Sequence, residues 1–411
     1  MRRDASRVAR RSLAWLGIVG LLASSCASPT AAPPPGAGRP SRVDQEEQQL
    51  EQKIKAYEGD PVLGQYLARL VQTLMPDDTR AAGGPSLTVL VLSDPTLNAF
   101  AMPNGRIYVH TGLMACLDNE AQLAMILGHE MTHVANRDAV RFARDAASPP
   151  ALLTAPTVGS GDAVDAAVLS PTAGVLLGGR LPLAATAAIT GYGRDAEREA
   201  DAGGMAGLIR AGYDVREAPK VYERFARETK ARGGIEMFAL GNPRFLAERV
   251  EDTDRLLQTR YASVAAAPRI VPATEEFGLR MRPVTRENAR LDIQAGRFAL
   301  AAAQLDRVLA RAPRDAIAQL YYGDLHRLQS QRSHDAAERA DQEHKALERY
   351  ERAAALDPSY ADPFRQLGLL YFQQKDTTRA RAAFEKYLAL KPGATDTQRI
   401  KEYLSGLGRR D

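Results

Sequence analysis

Two histidines and a glutamate in the stretch GHEMTH, residues 128–133, have the spacing of a metal-binding helix. On an α-helix, positions four residues apart share a face, so His129 and His133 can direct two imidazole nitrogens at one point. Glu130 projects to the side of that pair, where it can reach a water on the metal. Zinc hydrolases need this combination of two ligands, an open water position and a base. The alternative is that so short a pattern occurs by chance. A third ligand would distinguish a metal site from a chance match.

A carboxylate is the expected third ligand, because the other histidines are poorly placed. His110 lies on a predicted strand, and three more histidines fall in the C-terminal region, at His326, His334 and His344. The stretch GYGRDAEREADAGG, residues 191–204, offers Glu197, with Asp201 one turn later on the same helical face. Glu197 can complete a site of two histidines and a glutamate, and Asp201 can fix the tautomer of a ligand histidine. A solvated, charged helix face is the alternative.

The elements that must position these side chains follow from the surrounding pattern. Residues 119–137 are predicted to form a helix capped by Asp118 or Asn119, and a second helix is predicted to begin near Gly193. Strands are predicted before the first motif, over residues 86–93 and within 98–114.

Two further predicted helices cover residues 45–74 and 217–230. Residues 148–190 are rich in Ala, Gly, Pro, Leu and Val and carry few charges. They indicate either a buried helical hairpin or a mobile apolar flap.

The C-terminal region repeats itself. Three similar segments end at Pro313, Pro358 and Pro392, and the last two prolines are 34 residues apart. The first gap is longer by about 11 residues, a polar insertion near residues 330–342. From Phe364 the pattern F-x-x-L-G-x-x-Y, followed by A-x-x-x-F, resembles the tetratricopeptide consensus.

Each such repeat is a helix pair that cannot bury its apolar face alone, so neighbouring pairs stack. Residues 395–407 are predicted to form a capping helix. An unrelated helical bundle is the alternative.

The 411 residues suffice for two or three domains, and their net charge of +4 arises in residues 1–26, which hold five arginines and one aspartate. The balanced remainder has no basic surface of the kind that binds nucleic acid.

The arginines of residues 1–26, an apolar run and the small residues SSC are typical of an export signal. Two cleavage sites fit: one that leaves Cys26 lipidated, and ordinary cleavage after Ala27. With Cys26 lipidated, Cys116 stands alone and is expected to be a buried, small apolar residue.

Three stretches make the chain similar to a known family: NAFAMPNGRIYVHTGLM, NEAQLAMILGHEMTHVANRDAVR and RDAEREADAGG. It resembles the zinc metallopeptidases of family 48, the group with HtpX and the CAAX prenyl endopeptidases, and in particular the periplasmic BepA-like type. That type joins the peptidase to C-terminal tetratricopeptide repeats. The resemblance implies an α+β, mostly α fold, with a zincin-type peptidase domain that has a small sheet and an HExxH helix, and then an all-α solenoid. The expected segments are a lipoprotein signal peptide (1–26), a flexible linker (27–44), the zinc metallopeptidase domain (45–261), a second linker (262–285) and the repeats (286–408).

The resemblance also implies roles for individual residues. The family's ligands for one Zn²⁺ per chain match His129, His133 and Glu197, and its general base matches Glu130. Asp201 matches the trailing aspartate of the family's second motif.

The strand at residues 98–102 matches the family's edge strand, which holds an extended peptide beside the zinc. Asn98 and Ala99 are therefore candidate substrate-binding residues, and a purely structural strand is the alternative. Two residues depart from the family pattern. Gly193 stands where serine is usual, and Asn242 replaces a histidine that can close over the zinc. Either this self-inhibitory plug is absent or another group supplies it. Asn242 could instead donate a hydrogen bond to an oxyanion.

These patterns together predict a zinc-dependent endopeptidase that cuts misfolded or unassembled cell-envelope proteins. Its repeats would recruit clients or the outer-membrane β-barrel assembly machinery. The expected location is the periplasm, with a lipid anchor in the membrane, expected to be the outer one. A non-proteolytic chaperone or scaffold that works through the repeats is the alternative. A membrane-embedded prenyl-protease type is disfavoured, because charges interrupt the one long apolar stretch, residues 148–190.

Overall fold

The computed structural model describes residues 54–76, 86–141, 192–232, 243–267 and 274–407. Several predicted features lie outside these ranges, namely the signal peptide with Cys26, the linker 27–44, the apolar stretch 148–190 and Asn242. Within the described ranges, no helix is long and apolar enough to cross a membrane.

The N-terminal part combines helices with one small sheet. The helices are α1 (Leu63–Leu74), α2 (Thr111–Cys116), α3 (Glu120–Asn136), α4 (Arg194–Arg210), α5 (Glu217–Ala231), α6 (Pro243–Gln258) and α7 (Ala262–Ala265). The strands are β1 (Thr88–Leu92), β2 (Ala99–Ala101) and β3 (Arg106–His110). In the sheet the strand order is β1-β3-β2, with β1 parallel and β2 antiparallel to the central β3. The predicted α+β, mostly helical fold class is confirmed.

The two motif helices, α3 and α4, pack closely because glycines face each other between them. A Cβ added at Gly128 would lie 3.0 Å from the Cα atom of Gly204, and one added at Gly204 would lie 2.9 Å from the main-chain oxygen of Met125. The side chain of Asn119 accepts a hydrogen bond from the N–H of Gln122 and so caps α3. This close approach brings the second motif against the first.

The C-terminal part consists of paired helices. They are α8 (Glu275–Gln294), α9 (Phe298–Arg311), α10 (Ala316–Arg332), α11 (Ala336–Leu356), α12 (Ala361–Gln373), α13 (Thr377–Leu390) and α14 (Thr397–Gly406). Gly323 lies against the ring of Tyr350, and Gly368 against the ring of Phe384 in the next pair, so one packing solution recurs. The predicted polar insertion lengthens α10 and α11, and α14 is the predicted capping helix.

The predicted linker at 262–285 is wrong as a description of structure, because it contains α7 and the first half of α8. Phe277, Met281 and Val284 of α8 are buried in the same core as α3, and this burial outweighs the local effect of Pro283 inside the helix. The other half of α8 packs in the core of the first repeat through Ala289 and Ile293. One continuous helix therefore joins the two parts.

Of the predicted helix at 45–74, the structure describes residues from 54 onwards; residues 54–62 are not helical, and α1 begins at Leu63. Before it, the N–H of Tyr57 donates to the main-chain oxygen of Val91 at 2.8 Å, and the N–H of Ser93 donates to that of Lys55 at 3.0 Å. These bonds satisfy the outer edge of β1, which a helix at this position would leave open.

Candidate metal centre

The side chains of His129, His133 and Glu197 converge where α3 meets α4. The Nε2 atoms of the two histidines are 3.0 Å apart. Oxygens of Glu197 lie 3.4 Å from Nε2 of His129 and 3.7 Å from Nε2 of His133. Ligand atoms about 2.1 Å from a tetrahedral Zn²⁺ are separated from one another by about 3.4 Å. The three observed separations bracket that value, so this donor set fits a zinc ion.

A buried aspartate holds each ligand histidine through its other ring nitrogen. Nδ1 of His129 lies 2.9 Å from Oδ1 of Asp201, and Nδ1 of His133 lies 2.8 Å from Oδ2 of Asp138. An ionised carboxylate only accepts hydrogen bonds, so each aspartate favours the proton on Nδ1 and leaves the lone pair of Nε2 for a metal.

Asp138 was not predicted from the sequence. It follows the end of α3, where Arg137 adopts a left-handed conformation, with φ of 57°, and turns the chain back towards His133. An acidic residue just beyond the helix that bears the ligands was the available signal, but spacing alone does not reveal the turn.

Arg249 of α6 clamps the carboxylate that orients His129. Its buried guanidinium donates to Oδ1 of Asp201 at 2.5 Å and to Oδ2 at 3.0 Å, and lies 4.1 Å from the ring centroid of Tyr222. The Tyr222 hydroxyl donates to Asp201 at 2.5 Å. Arg249 also approaches Nδ1 of His129 to 3.0 Å, which is a contact between two donors when Nδ1 is protonated. Side chains from α3, α4, α5 and α6 thus meet at one point, and no spacing in the sequence predicts Arg249 or Tyr222.

The environment sets the protonation of these groups. Burial and Arg249 lower the pKa of His129, but hydrogen bonds and charges from Asp201 and Glu197 outweigh them and raise it to about 9. Burial raises the pKa of Glu130, although both ligand histidines lower it. Burial also raises the pKa of Glu197, but the hydrogen bond to His129 and the charge of Arg249 bring it well below its usual range. Glu197 is therefore a carboxylate ligand at neutral pH, whereas Glu130 has a pKa shifted towards the range of a general base.

The sheet presents an open edge beside this site. The N–H of His110 on β3 donates to the main-chain oxygen of Asn98 at 3.0 Å, so that oxygen is already paired. Because antiparallel pairing alternates along a strand, the main-chain groups of Ala99 and Ala101 face away from β3. No strand of the described ranges pairs with that edge. Both predicted substrate residues, Asn98 and Ala99, are buried, and of the two it is Ala99 whose main-chain groups face the open edge.

Tyr192 lies between this edge and the ligands. Its ring centroid is 4.6 Å from that of His133, and its hydroxyl oxygen is 3.3 Å from the main-chain oxygen of Ala101. Its main-chain N–H donates to Glu197 at 3.3 Å. Tyr192 was not predicted from the sequence, although it lies just before the second motif.

Two parts of the chain match models of known protein families. Residues 62–264 match the model for Peptidase family M48, and residues 286–344 and 335–405 match models for the tetratricopeptide repeat. The Beta-barrel assembly-enhancing protease of Escherichia coli (strain K12) is 28% identical over 250 residues, which cover 59% of this chain and 49% of that protein. The protein of the same name from Yersinia pestis is 31% identical over 172 residues, which cover 42% of this chain and 34% of that protein.

A third relative, the Mitochondrial metalloendopeptidase OMA1 of Arabidopsis thaliana, is 31% identical over 144 residues, which cover 35% of this chain and 27% of that protein. The aligned part spans about half the length, or less, of these curated relatives. The matched family and the relatives' names support a metalloendopeptidase. The chain therefore carries a peptidase family M48 domain, followed by tetratricopeptide repeats.

Proposed function

We propose that this protein is a zinc-dependent endopeptidase that cuts misfolded or unassembled proteins of the cell envelope. The convergence of His129, His133 and Glu197 beside an open sheet edge is the observation that carries the proposal. The ligands favour zinc because two imidazoles and one carboxylate form a donor set typical of catalytic zinc sites, which keep one position open. Glu197 remains partly exposed, which leaves an approach to the site from solvent.

The side chains have separate roles in hydrolysis. When bound, Zn²⁺ would polarise the scissile carbonyl and acidify a water molecule. Glu130 takes a proton from the attacking water on its carboxylate and later gives that proton to the leaving amine. Asp201 and Asp138 keep both imidazoles in the tautomer that presents Nε2.

The edge of β2 supplies a way to bind substrates of varied sequence. An extended peptide can pair with the outward main-chain groups of Ala99 and Ala101, which gives affinity without strict demands on side chains. A misfolded protein exposes such extended segments, whereas a folded protein keeps its strands paired.

For partners, we propose unfolded envelope proteins and the β-barrel assembly complex, recruited by the repeats. The support is the name of the E. coli relative and the stacked helix pairs from α8 to α14. We place the protein in the periplasm, lipid-anchored to the outer membrane through Cys26, with secretion after cleavage at Ala27 as the alternative. Membrane fractionation of Cys26→Ser tests the anchor, and loss from the membrane pellet is the expected result.

The central experiment replaces Glu130 with glutamine. This variant is expected to keep its zinc content but to lose cleavage of an unfolded protein by at least about a hundredfold, because the proton acceptor is gone. Glu199→Gln is the matched control, since Glu199 is an exposed residue of α4, and it should cleave normally. Turnover that survives in Glu130→Gln would refute the assignment.

The same variant separates this function from the non-proteolytic chaperone. In cells, an endopeptidase should accumulate bound clients when Glu130→Gln replaces the wild type, and envelope assembly should suffer. A chaperone that acts through its repeats would support assembly equally well with either residue.

A further inference from the structure

Tyr192 links a ligand histidine to the open edge of the sheet. Its ring lies against His133, with 4.6 Å between centroids, and its hydroxyl reaches to 3.3 Å from the main-chain oxygen of Ala101. Ala101 is one of the two β2 residues whose main-chain groups face away from β3. The side chain of Tyr192 thus lies between the ligands and the edge.

A peptide added to β2 would compete with this side chain. Neighbouring strands lie about 4.8 Å apart, so the main chain of an added peptide would run at about that distance from Ala101. The Tyr192 hydroxyl, 3.3 Å from the Ala101 oxygen, stands within that gap. It also donates the hydrogen bond that an N–H of the peptide would donate. The tyrosine and the peptide therefore require the same acceptor and the same space.

The position of Tyr192 depends on the glycine that follows it. Gly193 has φ of 101° and ψ of 162°, a conformation that is essentially restricted to glycine. A Cβ added there would meet no atom within 4 Å, so backbone conformation rather than lack of space requires glycine. Because Gly193 lies between Tyr192 and α4, its conformation sets where the ring lies relative to Glu197.

We propose that the side chain of Tyr192 occupies the open edge of β2 in the free protein and is displaced when a peptide strand binds. Gly193 is the backbone position that holds the ring in this place. The inference rests on the proposed function in one respect, that peptides bind at this edge, and it adds how access to the edge is limited.

Binding of a peptide, measured without cleavage, tests this inference. The probe is a fluorescein-labelled segment of β-casein of about ten residues, long enough to cover a strand. Its affinity is measured by fluorescence anisotropy in the Glu130→Gln background, once with Zn²⁺ and once with EDTA. Adding Tyr192→Phe keeps the ring but removes the hydroxyl, and should tighten binding about three- to tenfold, the equivalent of one net hydrogen bond.

Tyr322→Phe is the control, because that hydroxyl lies in the repeats, where it donates to Asp306 at 2.6 Å and also lies 3.3 Å from the main-chain oxygen of an alanine, Ala302. It should leave the affinity unchanged. Gly193→Ala disfavours the observed backbone and should tighten binding as well. Combined with Tyr192→Phe it should add little, because both changes act on the same contact.

Unchanged or weaker binding by Tyr192→Phe would overturn the inference. So would a loss of turnover in Tyr192→Phe, with Glu130 retained, at unchanged peptide affinity, because the hydroxyl would then act on the reaction itself. The outcome is separable from the proposed function. If the wild type cleaves proteins but the tyrosine variant binds no tighter, only this inference fails. If binding tightens but the wild type cleaves nothing, only the proposed function fails.

Discussion

Replacing Asp201 with asparagine removes a buried carboxylate that contacts both a ligand histidine and the buried arginine. Oδ1 of Asp201 lies 2.9 Å from Nδ1 of His129 and accepts from Arg249 at 2.5 Å. The same oxygen accepts from the Tyr222 hydroxyl. Asparagine keeps the size of the side chain, but its amide is neutral and carries a donor. The buried guanidinium of Arg249 then faces Glu197, 3.4 Å away, as its remaining partner of opposite charge in the site.

Two separate losses are expected. Loss of the group that orients a ligand typically lowers metal affinity about 10- to 100-fold, which corresponds to about 1.4–2.7 kcal/mol. Removal of one partner from a buried ion pair costs about 3–5 kcal/mol of folding stability, a large part of the 5–15 kcal/mol that is usual for a domain. Asp201→Asn should therefore be a weaker zinc binder and a markedly less stable protein.

A double variant separates the two effects. In Asp201→Asn/Arg249→Met both buried charges are gone, and an apolar side chain of similar length replaces the guanidinium. Part of the stability of the metal-free protein should return, since no buried arginine is left beside the neutral asparagine. Zinc affinity should stay low, because the imidazole still lacks its carboxylate.

Zinc affinity is measured by competition with a chromophoric chelator, and the free energy of unfolding by urea denaturation of the metal-free protein. Asp195→Asn is the matched control, because Asp195 lies in the first turn of the same helix and its side chain is 97% exposed. It should change neither quantity. Wild-type zinc affinity in Asp201→Asn would refute the idea that Asp201 supports the ligand.

Three further outcomes follow from packing and protonation. Gly204→Ala should lose about 1–3 kcal/mol of stability, because its Cβ would meet the main chain of Met125 at 2.9 Å. Gly207→Ala should not lose stability, because the nearest atom to its added Cβ would lie at 3.5 Å. Equal urea midpoints for the two variants would contradict this contrast. Burial raises the pKa of Cys116 to about 12, so a thiol reagent should label it only after unfolding, and rapid native labelling would disagree. Folding raises the pKa of His129 from 6.5 to about 9, so protonated His129 stabilises the metal-free fold below pH 6.5. This stabilisation is lost as the pH rises to 9. Zinc affinity from chelator competition should increase over that window, and a flat profile would count against it.

The sequence was most informative where the chemistry lies within one helix. His129, Glu130 and His133 needed only the helical period, and the apolar residues around them showed that the helix is buried. The second motif offered Glu197 and Asp201 one turn apart for the same reason. The repeat period likewise predicted the paired helices, because each pair is a local unit.

Contacts between elements were decided by tertiary packing. Asp138 reaches His133 only because Arg137 adopts a left-handed turn, and Arg249 reaches Asp201 from another helix. The last part of the predicted linker forms the first half of α8, because Phe277 and Met281 pack into the hydrophobic core. A single sequence carries no periodic signal for such partners, since their separation along the chain is arbitrary.

By itself, then, the sequence determined which side chains share a helical face: His129 with His133, and Glu197 with Asp201. It could do so because the α-helix fixes those separations locally. Only the tertiary structure decided that the faces meet, through the glycines that let α3 and α4 approach. The same packing places Tyr192 over the open edge of β2, because the contact of a side chain with a distant main chain depends on how whole elements fit together.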